Sequence, residues 1–440
     1  MGDDAAAIER FRALLRIPTV SRSDPGHEDR EAFARFRAAV AHLYPLVHQR
    51  LELELIDGGS LLYRWPGQGT GRPSVLMAHH DVVPADEPGW RHEPFAADVS
   101  DGRIWGRGAL DDKGALVAML EAVEARLRDG FTPAADVYLF SGANEETFGE
   151  GAEHAVDLLT ERGVRPGLVL DEGGAVAADA FPGLEGDIAF VGVAEKGLAG
   201  ILLTVEKPGG HAATPVRGGA TTTLARAIVR LEQHPPRARL SAPAAAMLRA
   251  IAPRARGLQR RLFAHPVRYR RALARALARR GGEGEAIVRT TRAVTRLTGS
   301  AGDNIIAERA TATINARIAI GSSVEQTAAE VRQAIDDDQV GVEVQYGNEP
   351  SPVSPSAGPE WDRLVGVIER QFPRAIAAPY VMMQASDSRH FTRISDTVYR
   401  FLPFELTAAE RGTIHAIDES IRIDTWVRAI AFFDALVGEL

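Results

Sequence analysis

Apolar side chains at Ile8, Phe11, Leu14 and Leu15 recur with the spacing of one helical face, and residues 30–44 repeat that pattern over a longer stretch. Short β-type runs follow. Three of them, residues 74–78, 136–141 and 168–170, lead into polar clusters: His79-His80-Asp81, Asn144-Glu145-Glu146 and Asp171-Glu172. Between the first two, residues 112–127 carry Leu116, Met119, Leu120, Val123 and Leu127 on one face, which predicts a helix. Strands alternating with helices predict an α/β fold with mostly parallel strands, whose ligands sit outside the carboxyl ends of those strands. Three strand ends bearing imidazoles and carboxylates then converge on one crevice.

The pattern changes near residues 187–195, and a new alternating strand begins at 200–205. A helix is predicted at 221–231, and the Arg- and Ala-rich stretch from Pro236 to about Arg296 reads as mostly helical. Strand-like segments at 311–318 and 342–346 flank a helix at 324–335, and the proline-rich segment 347–359 reads as a linker. After it come a helix at 361–371, the loop Ser386-Asp387-Ser388-Arg389, a strand at 397–402, a loop with His415 and a closing helix at 425–436. The chain's 440 residues exceed what one compact core usually serves. The expected organisation is an α/β domain in two parts, 1–190 and 351–440, interrupted by an inserted α+β domain over 191–350.

Composition narrows the chemistry. With no cysteine, disulfides, thiolate metal sites and cysteine nucleophiles are excluded, leaving imidazole and carboxylate as the strong metal ligands. A formal net charge of −8 argues against a nucleic-acid partner, and the arginine pairs 260–261, 270–271 and 279–280 read as solvated helix faces. Lysine occurs only at Lys113, Lys196 and Lys207, a hint that an ammonium is needed at those positions. The N-terminal segment is acidic and then amphipathic, unlike a signal peptide, and no apolar run approaches a membrane span; a soluble, cytoplasmic protein without a membrane partner is the expectation.

Single motifs here have ordinary readings: a core histidine, a glycine turn before a helix cap, a solvated acidic loop. The ensemble is more specific. His79 and Asp81 are two apart and share a face of an extended chain, which suits a ligand and the carboxylate that orients it. Of two adjacent glutamates, one can ligate a metal while its neighbour takes a proton from water.

In order and spacing, His79-His80-Asp81, Gly106 to Gly114, Glu145-Glu146, Asp171, Gly209-Gly210-His211 and His415 resemble the di-zinc aminoacylase and carboxypeptidase family of metallopeptidases, which includes glutamate carboxypeptidase, carnosine dipeptidase and succinyl-diaminopimelate desuccinylase. Ala194 to Gly197, Asp171 to Gly174 and Ser386 to Arg389 are most similar to the carboxypeptidase S branch, with its N-fatty-acyl-amino-acid synthase/hydrolases. The resemblance implies two zinc ions, with manganese or cobalt as substitutes. His79 and Asp171 would hold one, Glu146 and His415 the other, and Asp111 would bridge them. Asp81 would support His79, Glu145 would be the general base for a metal-bridged hydroxide, and His211 in the inserted lid would stabilise the oxyanion. Asn304, Arg317 and Arg389 are the candidates for holding the substrate's carboxylate or reacting carbonyl. Asn144 and Ser386 depart from the family's usual Asp and Thr at those places.

The implied activity is hydrolysis of an amide or peptide bond in a small substrate with a free carboxylate, a dipeptide or an N-acyl amino acid. A lipid-like acyl group is the second enzyme reading, and a non-catalytic, metal-stabilised binding module the reading from another class. Lids of this family pair to form dimers, so a homodimer that shares His211 between subunits stays open.

Overall fold

The computed structural model describes residues 2–22, 24–178 and 184–440. Its centre is a ten-stranded sheet. Strands Val137–Gly142, Ser74–His79, Leu168–Asp171 and Val398–Arg400 lie side by side and all run parallel, with antiparallel neighbours Ser60–Trp65 and Glu52–Ile56 at one side. The register brings the carboxyl ends together, since His79 pairs with Gly142 and Asp171 with Arg400. Ser74–His79 and Val137–Gly142 are buried along their whole length, as strands covered on both faces must be, which is why they read as continuous apolar runs.

Helix Lys113–Arg128 covers one face of this sheet with Gly2–Leu15, Pro359–Gln371 and Ile423–Val437. Trp426 is fully buried there, its indole N–H donates to the carbonyl of Gly114 at 2.9 Å, and its ring stacks on Phe11 at 4.7 Å. Lys113 is also fully buried. Its ammonium donates to the carbonyl of Ile17 at 2.6 Å and faces the Phe36 ring, and burial brings it down to about 7. The opposite face is closed by helix Gly151–Glu161 and the segment around Phe391.

The inserted part has two components that behave differently. Strands Thr291–Thr298, Arg309–Ile318, Gly197–Glu206 and Gly341–Asn348 form a separate antiparallel sheet, in that order, with its own core under helices Ala220–Gln233 and Val324–Ile335. Helices Ala242–Ile251, Gly257–Ala264, Arg270–Arg279 and Gly282–Val288 instead pack back onto the large sheet, where Leu248, Ile251 and Leu273 share a core with Ile188 and Ala378. The arginine pairs of these helices are all exposed, since one apolar stripe of Phe263, Leu273, Ala274 and Leu277 satisfies the packing. Two sequence expectations change. The helical reading to Arg296 ends early, because Thr291–Thr298 is an edge strand, and the division at 190/191 falls inside strand Asp187–Glu195 of the large sheet. No described helix is long and apolar enough to cross a membrane.

Trp426→Ala removes a filled core position and a hydrogen bond, and should destabilise the fold by about 3–5 kcal/mol in denaturant unfolding at constant m-value. An unchanged midpoint would show that the helical layer does not depend on this ring.

Candidate metal centre

Each chemical group in the crevice is placed by a neighbouring backbone. His79 ends its strand with its side chain buried between two carboxylates: Nε2 lies 2.9 Å from Oδ1 of Asp111, and Nδ1 lies 3.0 Å from the carbonyl oxygen of Asp81 and 3.3 Å from its Oδ1. The Asp81 oxygens also accept from the backbone N–H groups of Glu145 and Glu146, at 3.2 and 3.1 Å. One fully buried carboxylate thus fixes both the imidazole and the glutamate turn. Gly142 permits this close packing, since a Cβ there would meet Oδ2 of Asp387 at 2.6 Å.

The loop that presents Asp111 is held by Glu419, a fully buried carboxylate that accepts from the N–H groups of Gly108, Leu110 and Asp111 and pairs with Arg107 at 2.7 Å. Gly108 adopts φ +88°, where a Cβ would lie 2.8 Å from Val82. Across the crevice, Nε2 of His415 lies 3.0 Å from Oδ2 of Asp111 and 3.1 Å from Oε2 of Glu146. Asp111 therefore stands between the two histidines, one oxygen toward each.

Glu172 completes the cluster, with Oε1 3.8 Å from Nε2 of His79. Ligand atoms of His79, Glu145 and Glu172 lie within 4.8 Å of one another, as do those of His79, Asp111 and Glu146. Asp171, expected from the sequence as a ligand, belongs to neither group. Its Oδ2 turns back to accept the N–H of Ser388 at 2.9 Å, and its successor in the chain faces the crevice. His80 is likewise no ligand candidate: it lies stacked on Phe36 with Nδ1 2.8 Å from Oγ of Ser141, and burial lowers it to about 3.

The electrostatics are those of crowded anions. Burial pushes Glu145 well above the ordinary carboxylate value, and Asp387, Glu146 and Asp111 push the same way against the pull of His79. Burial and Asp111 raise Glu172 similarly. Asp111 goes the other way, because His415 and His79 outweigh its burial. His415 rises to about 10 through Asp111 and Glu146. Nitrogen and oxygen donors this close, with more carboxylates than the imidazoles can neutralise, fit divalent cations.

The remaining candidates lie elsewhere. His211 is exposed on the short strand Gly210–His211, with Nδ1 accepting from the N–H of Ala213, and Asn304 sits beside it, its carbonyl accepting from Ala212. Arg317 is next to last in strand Arg309–Ile318, paired with Leu198 and Thr291 near the end of the inserted sheet where it joins the large one. None of the three lines the cleft over the carboxylates. Arg389 donates to the carbonyl of Ser386 at 2.8 Å and faces the Phe148 ring, closing its own turn. The cleft instead contains Arg411, the last residue of the short helix Ala408–Arg411 and four residues before His415, which no motif in the sequence marks.

Residues 75–439 match the model of Peptidase family M20/M25/M40. The chain is 33% identical over 445 residues to "Probable carboxypeptidase S-like 2" of Dictyostelium discoideum, covering 99% of this chain and 85% of that protein. It is 31% identical over 443 residues to the human "N-fatty-acyl-amino acid synthase/hydrolase PM20D1", covering 98% and 87%. Among solved structures, the M20 family metallo-carboxypeptidase Sso-CP2 from Sulfolobus solfataricus superposes with a TM-score of 0.70 at 18% identity, covering 98% of each chain. Human carnosine dipeptidase 1 gives 0.69 at 15%, covering 99% of this chain and 96% of that one. Family match and full-length relatives agree with a metal-binding crevice of this architecture: the chain belongs to peptidase family M20/M25/M40 and is a metal-dependent hydrolase of small amide substrates.

Proposed function

We propose that the protein cleaves the amide bond of a dipeptide or N-acyl amino acid bearing a free carboxylate, with Glu145 as general base. The observation that carries this reading is the position of Glu145: a buried carboxylate with an oxygen within 4.8 Å of the ligand atoms of His79 and Glu172 is placed to take and return a proton at the cluster, and a purely structural metal site has no use for it. His79, Asp111, Glu146, Glu172 and His415 are the residues that would hold the metals, with Asp111 between them, and zinc is the metal the donor set suits best, with manganese or cobalt as substitutes. Bound divalent ions supply a Lewis acid for the scissile carbonyl and lower the pKa of water. Glu145 accepts the proton of the attacking water and delivers it to the leaving nitrogen. Asp81 keeps His79 and the Glu145-Glu146 turn in register. Arg411 offers the substrate carboxylate a planar fork within the cleft.

A second reading, an N-fatty-acyl-amino acid hydrolase or synthase, is favoured by the cleft walls. They enclose about 420 Å³, and Ala175, Phe190, Ile287, Met382, Leu402 and Ile414 give them an apolar surface. Comparing kcat/KM over a series of N-acyl chain lengths against dipeptides separates the two readings.

Glu145→Gln should keep its metals and fold while kcat falls by ~100-fold or more, the scale for loss of a general base. Full metal content with near wild-type turnover would remove Glu145 from the role.

Glu172→Gln should empty one metal site and Asp111→Asn should weaken both, whereas Asp171→Asn should retain two equivalents by elemental analysis. Loss of one equivalent in Asp171→Asn alone would return the ligand role to Asp171.

His211 reaches the reacting carbonyl only if the inserted sheet closes or a second subunit supplies it. His211→Ala should lower kcat by ~100-fold or more at unchanged metal content, the scale of one oxyanion donor. If the histidine comes from a partner subunit, mixing His211→Ala with Glu145→Gln protein restores activity. No recovery despite subunit exchange would assign it to its own chain, and full activity of His211→Ala would take it out of the mechanism.

A further inference from the structure

Beside the metal cleft lies a second cavity of about 400 Å³, and Ile287 lines both. It opens where the inserted sheet begins at Lys196, where helix Gly282–Val288 ends, and where the segment 236–241 crosses between them. Its lining is cationic. Lys196, Arg237, Arg239 and Arg289 face it against the single carboxylate of Glu330. Behind the lining, Arg317 acts on Lys196, and Glu285 pairs with Arg289 at 3.2 Å, so five cations meet two carboxylates.

The hydrogen bonding is also incomplete. Lys196 is 3% exposed, and its ammonium donates to the carbonyls of Ala286 at 3.1 Å and Arg289 at 2.9 Å, leaving one of three N–H groups without a protein acceptor. Nε of Arg289 is buried with no partner. Arg237 and Arg239 are exposed and in no ion pair among the described residues. Burial, with Arg317 adding to it, brings Lys196 down to about 7, the mark of an ammonium without sufficient counter-charge. Burying cations unneutralised is costly, whereas an oxyanion would accept from both the ammonium and the guanidinium.

We propose that this cavity binds a small oxyanion, a carboxylate or a phosphate, held by Lys196 and Arg289 within and by Arg237 and Arg239 at the mouth. The bound anion ties the end of helix Gly282–Val288 to the first residues of the inserted sheet. That helix carries Glu283 and Ile287 into the wall of the metal cleft, so the site fixes the wall without belonging to the metal centre.

The test is calorimetric titration of the purified protein with inorganic phosphate and, separately, with succinate, on the wild type, the charge reversal Arg237→Glu/Arg239→Glu, and His415→Ala. The reversal changes only exposed residues, and circular dichroism checks its fold; Arg289→Gln probes the buried donor independently. The expected result is one equivalent bound by the wild type and by His415→Ala with equal affinity, and at least tenfold weaker binding in the reversal and in Arg289→Gln. Preference for phosphate or for succinate then identifies which oxyanion the cavity serves. Absence of binding to the wild type at millimolar concentration overturns the proposal, as does binding lost in His415→Ala and retained in the reversal, which would place the anion at the metal centre.

Discussion

Everything in the crevice answers to one constraint, the gathering of Asp111, Glu145, Glu146 and Glu172 into a largely buried volume with two imidazoles. Carboxylates brought together out of water repel one another and lose hydration, and both effects favour the protonated acid. Folding alone would dissipate that arrangement by neutralising the acids. Divalent cations reverse the balance, turning mutual repulsion into shared coordination and favouring the ionised carboxylates, Glu145 among them, which a general base must be before it takes a proton.

The scaffold holds this unfavourable cluster with ion pairs built behind it. Glu419 and Arg107 fix the Asp111 loop through three backbone N–H groups. On the other side, Glu195 accepts from Nε of Arg400 at 2.7 Å and from the hydroxyls of Ser386 and Ser388, and the N–H of Ser388 reaches Asp171 beside Glu172. Each is a buried charge whose partner lies hundreds of residues away in sequence, and removing one partner leaves the other uncompensated. The stiffness of the crevice thus comes from long-range pairs, with hydrophobic layers supplying the bulk of the burial.

The parts most legible in the sequence were those where a strand end carries its chemistry directly. His79, Glu145 and Glu146 meet because parallel strands in register bring their carboxyl ends together, and Asp111 and His415, on loops that carry no strand end, are legible only through the spacing of the motifs around them. Asp171 and Glu172 show the limit. Adjacent residues at a strand terminus point to opposite sides, so composition names the pair, and only the turn after the strand decides which of them faces the crevice. Glu195, Arg400 and Glu419 were silent because a buried charge is defined by a distant partner. Strand Ala375–Met382 was hidden by its alanines and Pro379, and the edge strand Thr291–Thr298, exposed along most of its length, carries no apolar alternation to separate it from the helices before it.

The two crossings between the large sheet and the inserted one run side by side: Glu195 leads through Lys196 into Gly197, while the returning chain is bound to it by Ser351 N–H to the carbonyl of Glu195 and Ser354 N–H to that of Val193. Gly197 is pressed against Asn348 and Pro350, with no room for a side chain. The two sheets are thus joined along one edge, and His211 lies beyond the far end of the strand that leaves Gly197, so a change of angle at the crossing would displace His211 more than Glu195, which Arg400, Ser386 and Ser388 tie to the large sheet.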